Sequence, residues 1–175
     1  MASDFIKLGP EALSAPSAQP EIDLLQTERD LDIELPQSLR QILLQYAAPV
    51  VFAHGARFRP DTLCGVEGRD GHLTLLTLYG PGAGDSGLLA MNRMYSDQVP
   101  PLMAVIGESP GGNQLCIERT SGRIYFWNHE AEHDEAALTA VAESFDAFRE
   151  RLVADEGISE GTTPKIDESK SFLDF

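Results

Sequence analysis

Leu102-Met103-Ala104-Val105-Ile106, Asn113-Gln114-Leu115-Cys116-Ile117-Glu118 and Arg123-Ile124-Tyr125-Phe126-Trp127 are apolar runs in close succession, the last two separated only by Arg119-Thr120-Ser121-Gly122. A four-residue step ending in Gly has the length of a hairpin loop, so the second and third runs are expected to pair as antiparallel strands. Upstream, Leu73-Thr74-Leu75-Leu76-Thr77-Leu78-Tyr79 is apolar on both alternations and bounded by Gly71 and Gly80. That is the pattern of a central strand covered on both faces. Between Val50 and Gly71 the pattern is irregular, with a short apolar piece at Val50 to Phe52, and predicts short edge strands.

Helical signals flank this block. Pro20 precedes a helix from Glu21 to about Leu31, with acids in its first turn where the helix dipole favours them and Ile22 with Leu25 as an i, i+3 apolar pair. Pro36 forces Leu35 out of helical geometry and suits the start of a second helix, whose Leu39, Ile42, Leu43 and Tyr46 form a stripe to bury. A Gly-rich loop, Gly80 to Gly87, leads into a short helix near Leu88 to Tyr95. Asp134 can cap a last helix, in which Leu138, Val141, Ala142, Phe145, Phe148 and Leu152 fall at the helical period with Ser144 in mid-helix. The fold class these elements imply is α+β, a mainly antiparallel sheet with helices packed on one face.

The 175 residues, 42% hydrophobic and 23% charged, suffice for one compact domain. Its expected extent is 20–153, after an extended arm at 1–19 rich in Ala, Ser and Pro whose Phe5, Ile6 and Leu8 can dock on it. An acidic tail at 154–175 follows, ending in the apolar cluster Phe172-Leu173-Asp174-Phe175, which either stays solvated or docks. The formal charge of −15, from 28 acids against 13 bases, repels phosphate and anionic headgroups and attracts basic partners. Nucleic acid and membrane are therefore not expected as partners. With neither a signal-peptide core nor a membrane-length apolar run, the expected location is the cytoplasm. Cys64 and Cys116 stand alone in apolar surroundings, as buried free thiols do.

Two catalytic signatures occur by letter. His129-Glu130-Ala131-Glu132-His133 matches H-E-x-x-H, whose zinc chemistry needs both histidines one turn apart on one helix. Here it follows a strand-like run and precedes the cap at Asp134, so a solvated acidic turn is the competing reading. Gly82-Ala83-Gly84-Asp85-Ser86-Gly87 matches the dinucleotide fingerprint G-x-G-x-x-G, with Glu108 downstream. A hairpin follows instead of parallel crossovers, and Asp85 would face a pyrophosphate, so a flexible loop competes. Ser109 and Ser144 have no His at a spacing that implies a triad. No catalytic residue, cofactor or metal is assigned.

In order and spacing, Ile22-x-x-Leu25, Leu31-Asp32-Ile33-Glu34-Leu35-Pro36 and Leu39-x-x-Ile42-Leu43 resemble the opening of SUKH-superfamily (Smi/Knr-type) domains. Met103 to Gly107, Gly112 to Ile117, Gly122 to Glu130 and Ser144-Phe145-x-x-Phe148 resemble their core. The chain departs at Asp32, where members often carry Gly, and at Ala47-Ala48-Pro49, where they carry Asn-Gly-Gly. The resemblance implies the same α+β fold, with structural roles for Leu35, Pro36, Gly112, Trp127, His129, Ser144, Phe145 and Phe148. It also implies a non-enzymatic, protein-binding module. Many bacterial members are immunity proteins that neutralise toxins, often nucleases, and yeast relatives regulate cell-wall synthesis. An acidic inhibitor suits a basic toxin, and the candidate contact residues are Asp85, Glu108, Asn128, Glu130 and Glu132. The rival readings are an intracellular regulator or scaffold, and an enzyme using the Gly82 to Gly87 loop or His129 and His133.

Overall fold

The computed structural model describes residues 3–132 and 134–155. In chain order the elements are α1 (Ser3–Lys7), β1 (Pro10–Ala12), α2 (Pro20–Leu31), α3 (Gln37–Tyr46), β2 (Val50–Phe52), β3 (Arg57–Phe58), β4 (Leu73–Thr74) and β5 (Thr77–Leu78). They continue as α4 (Leu88–Met94), β6 (Met103–Glu108), β7 (Gln114–Glu118), β8 (Ile124–Trp127), α5 (Asp134–Ala137), β9 (Leu138–Ala142) and α6 (Phe145–Arg151). Seven strands form one sheet in the order β1-β2-β5-β6-β7-β8-β9, every pair antiparallel, and β3 with β4 forms a two-stranded ribbon. The architecture is α+β, with α2 against α3 and α4, and α6 against α1, α3 and β9.

The hairpin at the centre is as the sequence implies: Gln114 to Ile117 pair with Trp127 to Ile124. On one face of these strands Leu115, Ile117, Ile124, Phe126 and Val141 are buried. On the other Tyr125, Leu138 and Ala140 stay half-exposed. Phe148 lies edge-on to Phe58 with ring centroids 5.1 Å apart, and Phe145 lies 5.9 Å from Phe148. Each such phenyl ring contributes roughly 1.5–3 kcal/mol by its removal from water.

Four expectations are corrected. Leu73 to Tyr79 is two short strands: the Leu75 N–H donates to the Ala56 carbonyl and the Leu76 N–H to that of Glu108, both at 2.8 Å. The chain thus passes from the ribbon to the main sheet between successive residues, and Leu76 is exposed. The long final helix is a strand followed by a helix. In Leu138 to Ala142 the β-branched Thr139 and Val141 alternate inward against β8, and Ser144 starts α6 by accepting the Ala147 N–H at 3.1 Å. On α2 the buried residues are Leu24 and Thr27, while Ile22 and Leu25 face outward. On this buried face Thr27 accepts the Gly82 N–H. Finally, Val50 to Phe52 is not an edge strand but an interior one, because β1 of the lead-in pairs outside it, while Phe5 and Leu8, which the sequence allows to dock, lie in the core.

The Leu-Pro step sits where the sequence puts it, with Pro36 as the cap of α3 rather than its first helical residue. Leu35 is buried, and its N–H donates to Glu28 Oε1 at 2.9 Å while Glu28 also pairs with Arg40. Both cysteines are free. Burial pushes the Cys64 thiol up to about 11 and the fully enclosed Cys116 thiol up as well. The cluster Phe172 to Phe175 lies outside the described residues, as does most of 154–175.

Candidate partner-binding site

Because β6 and β8 run the same way and β5, β7 and β9 the other, one end of the sheet gathers the row Thr77, Glu108, Gln114, Trp127 and Leu138. A buried polar chain holds this end. The Tyr79 hydroxyl donates to Gln114 Oε1, and Gln114 Nε2 donates to the Gly112 carbonyl at 3.1 Å. Desolvation raises the Tyr79 phenol, with the nearby Glu108 carboxylate adding to it, so the hydroxyl keeps its proton and remains a donor. The loop after β6 is thereby fixed, and Asn113 Nδ2 closes it onto the Pro110 carbonyl at 3.0 Å.

From that loop Asn113 Oδ1 accepts the His129 N–H at 3.0 Å, with the His129 ring nitrogen Nδ1 3.4 Å away. Gly112 has φ +81°, which glycine adopts without strain, and a Cβ there would lie 3.6 Å from the imidazole. Trp127 is buried, its ring edge-on to Tyr95 at 5.9 Å. Asn128 turns the chain after β8: its N–H donates to the Ala137 carbonyl at 2.8 Å and its Oδ1 accepts the Glu130 N–H at 3.1 Å. Glu130 and Glu132 are exposed and Glu108 is half-buried.

Four of the five proposed contact residues, Glu108, Asn128, Glu130 and Glu132, therefore occupy one sheet end. Asp85 does not join them. Its loop follows β5, which runs against β6, and so lies at the opposite end, beside Asp23, Ser17 and Pro49. Nothing in the sequence marks that separation, since it depends on strand direction.

The two signature matches resolve by geometry. Residues 129–132 form a turn after β8, not the helix H-E-x-x-H requires, and His133 lies outside the described residues. Among the described residues no three His, Cys, Asp or Glu are grouped to hold a metal ion. In the glycine loop the Leu88 and Leu89 N–H groups, which would face a phosphate, donate to the Gly80 and Gly82 carbonyls at 2.9 and 3.0 Å. A Cβ at Gly87 would meet the Gly82 carbonyl oxygen at 2.5 Å, so this glycine serves close packing of the loop on itself. The neighbours of β5 are both antiparallel, unlike a dinucleotide fold. No helix among the described residues is long and apolar enough to cross a membrane.

Sequence reading missed a cavity of about 190 Å³ on the far side of the loop after β6, lined by Arg57, Asp70, His72, Thr74, Ser109 and Asn113 among others. Arg57 pairs there with Asp70 at 2.6 Å and Asp155 at 3.6 Å. Desolvation pushes the Asp70 carboxyl up, but the His72 N–H and the Arg57 guanidinium outweigh it and hold the group below its ordinary range. Asp70, His72 and Thr74 alternate along one segment, but Arg57 and the Ser109 to Asn113 loop are distant from it in the chain, and nothing in the sequence links the three.

A helix, a Leu-Pro step, a second helix, an antiparallel meander and a short closing helix define a small α+β domain of the Smi/Knr type. The chain belongs to the SMI1 / KNR4 family (SUKH-1), whose model matches residues 20–151. It is also 29% identical over 149 residues to the SPbeta prophage-derived uncharacterized protein YokK of Bacillus subtilis (strain 168), covering 79% of this chain and 77% of that protein.

Proposed function

We propose that the protein is a non-catalytic binding module of the immunity type, which neutralises a basic toxin, a nuclease being the most apt. The family supports a protein-binding role. The observation that carries the finer reading is the convergence of Glu108, Glu130 and Glu132 on one sheet end in a chain of net charge −15. Nuclease clefts are cationic because they hold phosphates, and an acidic rim on a fixed scaffold gains steering and complementarity against them. In this reading the protein works in the cytoplasm.

The test is affinity capture of the tagged protein in its own host with stepwise salt elution and mass spectrometry, repeated with Glu108→Lys, Glu130→Lys and Glu132→Lys combined. A basic toxin released by about 0.5 M salt, where exposed charges are screened, and lost in the triple variant is the expected result. A partner retained by the triple variant and lost in Asp85→Lys would place binding at the other end. An endogenous, non-toxin partner would favour the regulator role of the yeast relatives.

A further inference from the structure

Another cavity lies where α2 and α4 meet β6. It measures about 350 Å³, and its wall includes Leu31, Val99, Pro100, Pro101, Met103 and Val105. Arg93, Ser96 and Pro101 of the same wall are exposed, so it opens to solvent on their side. A dry apolar cavity of about 150 Å³ holds a benzene ring, so this one has room for a large side chain.

The polar groups of the wall select the guest by being paired already. Asn92 is held on three sides, by the Leu88 and Val105 carbonyls and the Val105 N–H. Arg119 Nε donates to the Pro101 carbonyl at 3.1 Å, and its Nη1 to that of Leu31. The Ser96 hydroxyl donates to the Arg93 carbonyl at 2.9 Å, and the Arg93 guanidinium lies 3.7 Å from the Asp30 carboxylate. None of the buried unpaired side-chain atoms among the described residues belongs to this wall. A polar guest gives up water and finds no buried polar atom awaiting it, whereas an apolar one gains by leaving water.

Apolar surface continues outside the cavity. Met94, between the wall residues Arg93 and Tyr95, and Leu102, between Pro101 and Met103, are 63% and 56% exposed. Tyr95 joins this region to the acidic rim: it lines the cavity, and its ring lies edge-on to Trp127 at 5.9 Å. Desolvation raises the Tyr95 phenol and the Glu108 carboxylate adds to it, so the two are electrostatic neighbours. An apolar centre beside a charged border is the anatomy of a protein–protein interface, in which a few large side chains carry most of the binding. We propose that the cavity is the anchor site of such an interface, seating one aromatic or large aliphatic side chain of the basic partner whose charges meet Glu108, Glu130 and Glu132. The identity of the partner rests on the reading above; the preference of the cavity for an apolar side chain does not.

The full-length protein, 13C-labelled at its Met and Val methyl groups, is titrated with N-acetylphenylalanine amide and, separately, with N-acetyllysine amide. The expected result is saturable shifts of the Met103 and Val99 methyls with the phenylalanine probe alone. Ser96→Trp and Pro101→Trp, which fill the cavity from different parts of its wall, weaken that binding several-fold, and the other methyl signals of each variant report an intact fold. Absence of a saturable shift, or equal shifts with the lysine probe, overturns the proposal. So does a Met103 signal that moves without any probe, either on dilution or when Phe172→Ala and Phe175→Ala are combined, because a second copy or the chain's own terminal segment then fills the cavity. In the capture experiment Ser96→Trp alters no charge. A toxin lost from it supports the anchor; a toxin it retains as fully as the unaltered chain overturns the anchor and leaves the rim reading standing. Recovery of no basic partner fails the rim reading and the partner assigned here, and the titration still decides what the cavity accepts.

Discussion

Asn92 shows how much a single side chain can hold. Only the last residues of β6 have β5 beside them, and the backbone of Val105 is met instead by the Asn92 carboxamide from α4. Nδ2 donates to the Val105 carbonyl at 2.8 Å and Oδ1 accepts the Val105 N–H at 2.9 Å, so a side chain stands in for a missing strand. Asn92→Ala leaves both groups buried and unpaired, and urea denaturation should show a loss of about 3 kcal/mol. Ala47 is the opposite case. It ends α3 at φ +52°, a region that costs a residue with a Cβ roughly 1–2 kcal/mol. Ala47→Gly should raise the urea midpoint, a gain of about 1 kcal/mol. Asp32 has the same left-handed backbone, at φ +49°. Leu35, Trp127, Phe145 and Phe148 were legible from sequence because apolar groups at strand and helix positions have one destination. Asn92, Arg57, His72 and Ser109 were not, because a polar side chain's partner is set by what folds against it.

Among the elements, the last one teaches why periodicity misleads. Leu138, Val141, Ala142, Phe145, Phe148 and Leu152 satisfy a helix, yet Leu138 to Ala142 satisfies a strand equally and only the open edge of β8 decides between them. Ser144 is where the two periods meet, and its hydroxyl is a cap rather than a helix-face group. Ser144→Ala should lower stability by about 1 kcal/mol in thermal or urea unfolding without altering β9. Leu73 to Tyr79 misleads similarly, since a run apolar on both alternations fits a strand that changes sheets as well as one buried between layers. The hairpin of β7 and β8 was legible because its loop length and flanking alternation agree, whereas the meeting of Glu108 with Asn128, Glu130 and Glu132 at one sheet end was not, because it follows from the pairing of β6 with β7. The remote position of Asp85 was not, because it follows from the direction of β5.

For the whole molecule, 28 acids against 13 bases set the response to pH. Asp70 and Glu67 are both held below their ordinary range. For each, desolvation pushes upward but hydrogen bonds outweigh it, from His72 and Arg57 for Asp70 and from Cys64 for Glu67. A carboxyl depressed by folding contributes stability that is present above its unfolded value and lost as pH falls through its folded value. Stability should therefore drop below about pH 4, and Asp70→Asn, followed by urea denaturation at pH 3 and pH 7, should shrink the difference between the two.

The sheet has another property at this scale. The family match begins at residue 20, whereas β1 precedes it and covers β2, through Ala53 to Gly9 at 2.8 Å and His54 to Leu8 at 3.0 Å. A protein trimmed to the family boundary would keep every residue that marks the family and bare a row of amides and carbonyls at Val50 to Phe52. Such an edge is a ready template for a second copy, so the trimmed form should self-associate more than the full chain, and the first residues act as a built-in stopper against intermolecular strand exchange.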